Sequence, residues 1–140
     1  MWNLSRLVAL KLDNNALQGH LPATIEGLRG VELLDLSSNR LEGPLPPQLG
    51  HLTKVYILYL NWNKFNGSIP PALGLLPQLR TLNIEGNRLS GSVPVELCNL
   101  RHLQTLDMSG NAKLSGPLPA NLPRLPFLRY LGIERTGITT

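Results

Sequence analysis

A block of 24 residues recurs along this 140-residue chain and limits what the chain can fold into. A leucine opens each copy, at Leu4, Leu28, Leu52, Leu76 and Leu100. A second apolar residue, a pair of apolar residues two apart and an asparagine follow at fixed spacing. A unit this small cannot bury its apolar face alone, so the copies must stack and cover one another. The sequence therefore predicts a repeat architecture, which favours binding over catalysis.

The third copy, residues 52–75, shows what one unit contributes. Leu58 and Leu60 are two residues apart, so they point to one face of a short strand. Such strands, stacked in parallel, would form a continuous sheet. An extended piece around Gly67 then ends at Pro70, where a short helical turn can begin. Beyond each such proline an aliphatic residue is expected to fill the core: Ile25, Leu49, Leu73, Leu97 and Leu122.

An asparagine follows the apolar pair of every full copy, at Asn15, Asn39, Asn63, Asn87 and Asn111. An asparagine amide both donates and accepts hydrogen bonds, and buried backbone groups at a turn need such partners. We therefore expect these side chains to stack as a hydrogen-bonded ladder inside the coil. Alanine at a central position should cost roughly 1–3 kcal/mol, the cost of unpaired buried polar groups.

The pattern LxxLxxLxLxxNxLxGxLPxxLGxL resembles the plant-type leucine-rich repeat, as found in receptor-like kinase ectodomains and polygalacturonase-inhibiting proteins. The resemblance runs from about Leu4 to Ile138. It implies an α/β repeat fold: a right-handed solenoid with a parallel concave β-sheet and short 3-10 or helical turns on the convex side. It also implies that ligands meet the concave side. One domain is expected over residues 1–140, with repeats at about 4–27, 28–51, 52–75, 76–99 and 100–124 and a partial repeat at 125–140.

The chain departs from this pattern in the last copies and at its ends. The fifth copy has one extra residue between Asn111 and Leu114, and the sixth has Thr136 where asparagine is expected. No cap is apparent before Leu4 or after Thr140. Uncapped ends would favour a fragment of a longer protein, or end-to-end association between copies of the chain.

Side chains on the concave face are expected to form three columns. The columns are Ala9, Leu33, Ile57, Thr81, Thr105, Tyr130; then Lys11, Asp35, Tyr59, Asn83, Asp107, Gly132; then Asp13, Ser37, Asn61, Glu85, Ser109, Glu134. Five of these side chains are acidic and one is basic, although the whole chain carries a net charge of +4. A nucleic-acid reader would show the opposite sign on its binding face, so no nucleic-acid partner is expected.

The middle of these columns is the predicted partner site. Leu33, Ile57 and Tyr59 are apolar or aromatic on a face that should be wet, with Tyr56 and Trp62 at its margins. Polar neighbours complete the predicted site: Asp35, Asn61, Asn83, Glu85 and Asp107. Aromatic anchors among polar groups are typical of interface hot spots. Cross-strand packing also accounts for aromatic residues on a sheet, so that alternative stays open.

A basic column lies just past the asparagines, at Arg40, Lys64, Arg88 and Lys113. An acidic ligand could use such a stripe, but charge runs are usually solvated faces, and the sequence favours that interpretation.

The sequence gives little support to catalysis. His20, His51 and His102 fall on different parts of the repeat, and none has metal-ligand spacing to another His or Cys. Cys98, the single cysteine, replaces a repeat glycine and is interpreted as a small, partly buried filler. Asp35 and Asp107 should lie roughly 14 Å apart, too far for a glycosidase carboxylate pair. No enzyme, metal or cofactor is expected.

The leading hypothesis is therefore a scaffold that recognises a protein or peptide, receptor-like or defence-related by resemblance. The alternatives are an assembly module joined through uncapped ends and, by resemblance alone, an inhibitor of a secreted glycan-degrading enzyme. No membrane segment or signal peptide is apparent. We expect a cell-surface or extracellular location if the chain is part of a plant-type receptor, and a cytoplasmic one otherwise. Two sequons, beginning at Asn3 and Asn66, would accept glycans in the secretory route.

Overall fold

Two parallel sheets run side by side through the stack of repeats. The computed structural model describes residues 4–140. The first sheet, here called the concave sheet, has the strand order β1-β3-β5-β7-β9-β11. Its strands are β1 Ala9–Lys11, β3 Leu33–Asp35, β5 Ile57–Tyr59, β7 Thr81–Asn83, β9 Thr105–Asp107 and β11 Tyr130–Gly132. Leu34 pairs with Leu58, its equivalent one copy later, so the repeat length sets the register.

The second sheet has the strand order β12-β10-β8-β6-β4-β2 and was not predicted as a sheet. Its strands are β2 Gln18–His20, β4 Arg40–Pro44, β6 Lys64–Gly67, β8 Arg88–Gly91, β10 Lys113–Pro117 and β12 Gly137–Thr139. The first five strands in chain order are the extended pieces expected around each repeat glycine, whereas β12 lies in the sixth copy, which was expected to stop after its concave strand. In β4, for example, buried and exposed residues alternate, with Leu41 and Gly43 buried. The pairing itself is made by backbone groups, so it leaves little trace in the side-chain pattern.

Short 3-10 helices close the convex side, as the resemblance implies. They are η1 Ala23–Gly27, η2 Pro47–His51, η3 Pro71–Leu75, η4 Val95–Asn99 and η5 Leu122–Arg124. The residue before η2 is Pro46, whose extended backbone ends the preceding piece. Each helix buries one aliphatic side chain completely, as predicted: Ile25, Leu49, Leu73, Leu97 and Leu122. Within residues 4–140, no helix has the length and the apolar stretch that crossing a membrane requires.

The core lies between the two sheets and the convex helices. Leu58, Leu60 and Leu82 are fully buried, and Phe65 is the bulkiest side chain with no exposed surface. Each such side chain contributes about 1.5–3 kcal/mol of burial energy. Leu10 and Leu131, on the first and last concave strands, are only partly buried. The middle copies therefore form the most tightly covered part of the stack.

Candidate functional site

The predicted asparagine ladder contacts backbone groups of neighbouring copies rather than other asparagines. The amide nitrogen of Asn63 donates to the carbonyl of Leu36 in the preceding copy at 2.9 Å and to that of Leu60 at 3.3 Å. Its oxygen accepts the backbone N–H of Leu41 at 3.0 Å. The same bonds recur at the other internal positions, Asn39, Asn87 and Asn111. Each amide therefore fixes the end of one concave strand relative to the strand before it.

The two ends of the ladder differ from its middle. Asn15 is exposed, and among the residues described its amide donates only to the carbonyls of Leu12 and Asp13. Thr136 stands in the last copy, where its hydroxyl donates to the carbonyl of Ile133 at 2.7 Å and accepts from the N–H of Ile138 at 3.3 Å. A hydroxyl can replace part of what the amide does, but it has one hydrogen to donate instead of two.

A left-handed residue follows each concave strand, a feature that the sequence interpretation missed. The residues are Asn14, Ser38, Trp62, Gly86, Gly110 and Arg135, with φ between 54° and 71°. A bulky residue rarely adopts this conformation. The sequence did indicate this turn, because two glycines and an asparagine occupy the same repeat position and these residues tolerate positive φ best.

Trp62 is held in this turn against the following copy. Its side chain is 53% exposed, yet its ring lies over Gly86. A Cβ atom built on Gly86 would come within 2.6 Å of the Trp62 ring atom Cε3. Glycine at position 86 is therefore what leaves room for the indole. Trp62, predicted at the margin of the partner site, therefore exposes a large aromatic surface, while neighbouring residues restrain its backbone.

The apolar members of the predicted partner site lie together on adjacent strands. Leu33 pairs with Ile57, and Asp35 pairs with Tyr59, in the register of β3 and β5. Leu33, Ile57 and Tyr59 are each half-buried, because neighbouring strands shield their flanks. They are not part of the buried core, so their outer surfaces remain free for a partner. We call Leu33, Ile57, Tyr59 and Trp62 the aromatic platform.

Three of the predicted polar site residues also hold the turns after their strands. Asp35, Asn83 and Asp107 each accept, at 3.0 Å, the backbone N–H two residues further along the chain. This is the Asx-turn arrangement, which stabilises a tight turn locally. Asp35 and Asp107 are also buried, at 8% exposure each. Little of either carboxylate is therefore available to meet a partner.

Asn61 has a different environment from these turn residues. Its side-chain oxygen is buried and has no hydrogen-bond partner among residues 4–140. A buried polar atom without a partner carries a desolvation cost. The residue lies beside Trp62 at the end of the aromatic platform.

Acidic side chains gather at the later end of the concave sheet. Burial, followed by the charges of Asp107 and Glu134, raises the pKa of Glu85, while Arg135 opposes that rise. The negative charge of Asp107 is the main reason that the pKa of the Tyr130 phenol is raised. This end of the sheet therefore presents concentrated negative charge, which complements cationic groups.

A groove runs along the side of the concave sheet where each strand begins, and the sequence analysis did not predict it as a unit. Glu32, Lys54, Tyr56, Gln78 and Arg80 line a shallow cavity of about 290 Å³. The Arg80 guanidinium carbon lies 5.9 Å from the centre of the Tyr56 ring, a cation–π arrangement. The signal in the sequence was the column Glu32, Tyr56, Arg80 and Gln104, spaced by one repeat and lying just before the strands.

A second cavity of about 240 Å³ continues this groove along the stack. It is lined by Arg80, His102, Gln104 and Phe127, so Arg80 belongs to both cavities. The rings of His102 and Phe127 stack at a centroid distance of 6.2 Å. We call the two cavities together the entry groove. The predicted marginal residue Tyr56 belongs to this groove rather than to the aromatic platform.

The basic column lies on the other side of the concave strands. Arg40, Lys64, Arg88 and Lys113 are the first residues of β4, β6, β8 and β10 and are all exposed. The ion pair found among residues 4–140 joins His51 and Glu26 on the convex side, at 2.7 Å. The side chains of the basic column therefore face solvent without acidic partners in the part of the chain described.

The residues considered for catalysis stay dispersed. His51 contacts Glu26, His102 stacks on Phe127, and the His20 ring lies over Gly43. Burial raises the pKa of the Cys98 thiol. Across residues 4–140, no group of three or more His, Cys, Asp or Glu side chains is placed to hold a metal ion.

Comparison with known families identifies the repeat. The family model described as leucine rich repeat matches residues 5–65 and again residues 53–114. No curated protein sequence matches the chain significantly.

Solved structures of plant receptor ectodomains superpose closely on the chain. The Arabidopsis receptor kinase HAESA, in complex with the peptide hormone IDA and the co-receptor SERK1, is 36% identical with a TM-score of 0.94, covering 98% of this chain and 23% of that one. The plant peptide hormone receptor RGFR1, in complex with RGF2, is 37% identical with a TM-score of 0.91, and the match covers 94% of this chain and 21% of that one. The BIR2 ectodomain from Arabidopsis thaliana is 32% identical with a TM-score of 0.87, covering 96% and 70%. The chain thus spans less than a quarter of the two hormone-receptor chains.

Proposed function

Because the chain belongs to the leucine-rich repeat family, we propose that it is a recognition segment of a receptor-like protein that binds a peptide or protein partner on its concave sheet. The observation that carries the proposal is the aromatic platform. Its side chains lie on the concave sheet and its margin, where apolar and aromatic groups among polar neighbours are typical of interface hot spots. Two similar structures support the same role for this segment: the receptor kinase HAESA in complex with the peptide hormone IDA, and the plant peptide hormone receptor RGFR1 in complex with RGF2.

The chemistry of the surface suggests the class of partner. An extended peptide could place apolar side chains against Leu33, Ile57 and Tyr59. Basic groups further along the peptide would meet Glu85 and Glu134. The negative charges there repel one another, and Arg135 is the positive charge that partly offsets them. The partner we propose is therefore a peptide segment with an apolar part and a cationic part.

The proposal assigns no catalytic role to the chain. The dispersion of His20, His51 and His102 over three parts of the repeat supports this, since general acid–base work needs groups that converge on one substrate.

The test compares the wild-type chain with a Leu33→Arg, Tyr59→Arg double variant. Partners are captured from native extract, identified by mass spectrometry and then titrated by calorimetry. We expect the double variant to bind at least about tenfold more weakly, because hot-spot residues contribute 2 kcal/mol or more and 1.4 kcal/mol is tenfold. Circular dichroism checks that the fold survives.

A matched control carries the same charge on the convex side. Val95 in η4 is 65% exposed, so Val95→Arg adds an arginine far from the concave sheet. Binding should be unchanged in that variant. Equal affinity of the double variant and the wild-type chain would refute recognition through the aromatic platform.

A further inference from the structure

The side chain of Asn66 projects from the outer face of the second sheet. Within β6, Phe65 is fully buried, whereas Lys64 and Asn66 on either side of it are exposed. Strand neighbours alternate between the two faces of a sheet, so the Asn66 amide points away from the core. The backbone of Asn66 is paired with β4 on one side and with β8 on the other. A modification of this side chain would therefore attach to a rigid backbone.

Asn66 begins the sequon Asn66-Gly67-Ser68, whose three residues are all exposed. Gly67 has φ of +72°. A Cβ atom built there would meet only the side chain of Pro44, at 3.7 Å, and one built on Gly91 of the next copy would meet nothing within 4 Å. The open space at Gly67, together with the exposure of Asn66 itself, leaves room for a bulky substituent on the Asn66 amide.

We propose that Asn66 is an N-glycosylation site, and that its glycan covers the second sheet while leaving the binding surfaces free. In the reaction, the amide nitrogen of Asn66 bonds to the anomeric carbon of a lipid-linked oligosaccharide. The bond from that carbon to the lipid pyrophosphate breaks, and the amide loses one proton. This inference rests on the proposed function only in requiring that the chain pass through the secretory route.

The position of Asn66 separates the glycan from the proposed partner. The second sheet follows the concave strands in every copy, on their exit side, whereas the entry groove precedes them. A glycan on β6 would stand next to the basic residues Lys64 and Arg88 and shield that flank. Docking would then be confined to the concave sheet and to the entry groove around Tyr56 and Arg80.

The experiment uses the chain expressed behind a signal sequence and recovered from the medium. An Asn3→Gln background removes the other sequon, which begins outside the described residues. We expect a peptide N-glycosidase to shift the protein to a lower mass, and peptide mass spectrometry to place the sugar on Asn66. Asn66→Gln and Ser68→Ala should abolish the shift, whereas Ser68→Thr, which preserves the sequon, should retain it.

Secreted, folded Asn3→Gln protein with an unmodified Asn66 would overturn the proposal, as would a mass shift that persists in Asn66→Gln. The readout does not depend on ligand binding. An unmodified Asn66 in a chain that binds its partner normally would refute the glycosylation proposal and leave the proposed function standing. A glycosylated chain whose partner affinity is the same with and without the Leu33→Arg, Tyr59→Arg substitutions would refute the proposed function and leave the glycosylation proposal standing. Asn66→Gln should leave partner affinity unchanged, and a strong loss of affinity would show that this flank belongs to the interface.

Discussion

At the scale of single residues, one asparagine per copy joins neighbouring copies through several backbone hydrogen bonds. Asn111 is completely buried and donates to the carbonyls of Ile84 and Met108, while its oxygen accepts the N–H of Leu89. Alanine at this position would leave those backbone groups without partners and without access to water. The apolar residues around it could not compensate, because they offer no donor or acceptor.

We therefore predict that Asn111→Ala lowers the free energy of unfolding by about 1–3 kcal/mol or more, since several buried groups lose their partner. The matched control is Asn15→Ala, because Asn15 occupies the same repeat position but is exposed. That change should stay within about 0.5 kcal/mol. Urea unfolding followed by circular dichroism measures both, and equal losses in the two variants would contradict the buried-ladder explanation.

At the scale of elements, the concave strands are three residues long and depend on their neighbours. Parallel stacking brings equivalent side chains one strand apart, so residues that are 24 or 25 positions apart in sequence become neighbours. Three acidic side chains lie in or just after β7, β9 and β11 and repel one another: Glu85, Asp107 and Glu134. This repulsion adds to the burial that raises the pKa of Glu85.

The raised pKa of Glu85 leads to a pH-dependent prediction. A carboxyl group whose pKa is higher in the folded state destabilises the fold when ionised, so its cost is full at pH above the raised value. The cost declines as the pH falls through the raised pKa and is absent below the ordinary value of 4.5. We therefore predict that Glu85→Gln raises the thermal unfolding midpoint at neutral pH, and that the gain disappears in acid.

Differential scanning calorimetry across this pH range tests the prediction. The control is Glu96→Gln, which removes the same charge from an exposed position on the convex helix η4. A gain that persists below pH 4.5, or an equal gain in the control, would show that repulsion on the concave sheet is not the cause.

At the scale of the whole molecule, the stack is held together by interfaces between successive copies. Leu82 lies in β7, which pairs with β5 before it and β9 after it, and its side chain is fully buried. Leu131 holds the equivalent place in β11, where it is only partly buried. Loss of packing in the middle therefore weakens two interfaces, which couples all the copies into one cooperative unit.

We predict that Leu82→Ala costs about 2–5 kcal/mol, as a buried leucine usually does, and that Leu131→Ala costs less. Both variants should unfold in one transition seen equally by far-ultraviolet circular dichroism and tryptophan fluorescence. Separate transitions in the two signals would mean that parts of the stack unfold independently.

The sequence by itself determined the features that recur within each copy. The 24-residue spacing predicted the parallel concave sheet and its register, and the positions after each proline predicted the buried residues of the convex helices. These features were readable because each depends on side-chain polarity at a fixed place in the copy, which the repeat displays several times. The partner-binding role of Leu33, Ile57 and Tyr59 stays a prediction, because exposure alone does not name a ligand.

Only the tertiary structure decided the features that arise between copies. The second sheet forms through backbone hydrogen bonds, which do not depend on residue type. The left-handed turn that holds Trp62 over Gly86, and the groove that joins Tyr56 to Arg80 and Phe127, depend on contacts between residues of different copies. The sequence analysis treated Asp35 and Asp107 as acidic groups available to a partner, yet each accepts a backbone hydrogen bond in its own turn. Such contacts follow from three-dimensional stacking, since no local pattern specifies which side chain of the next copy will lie alongside.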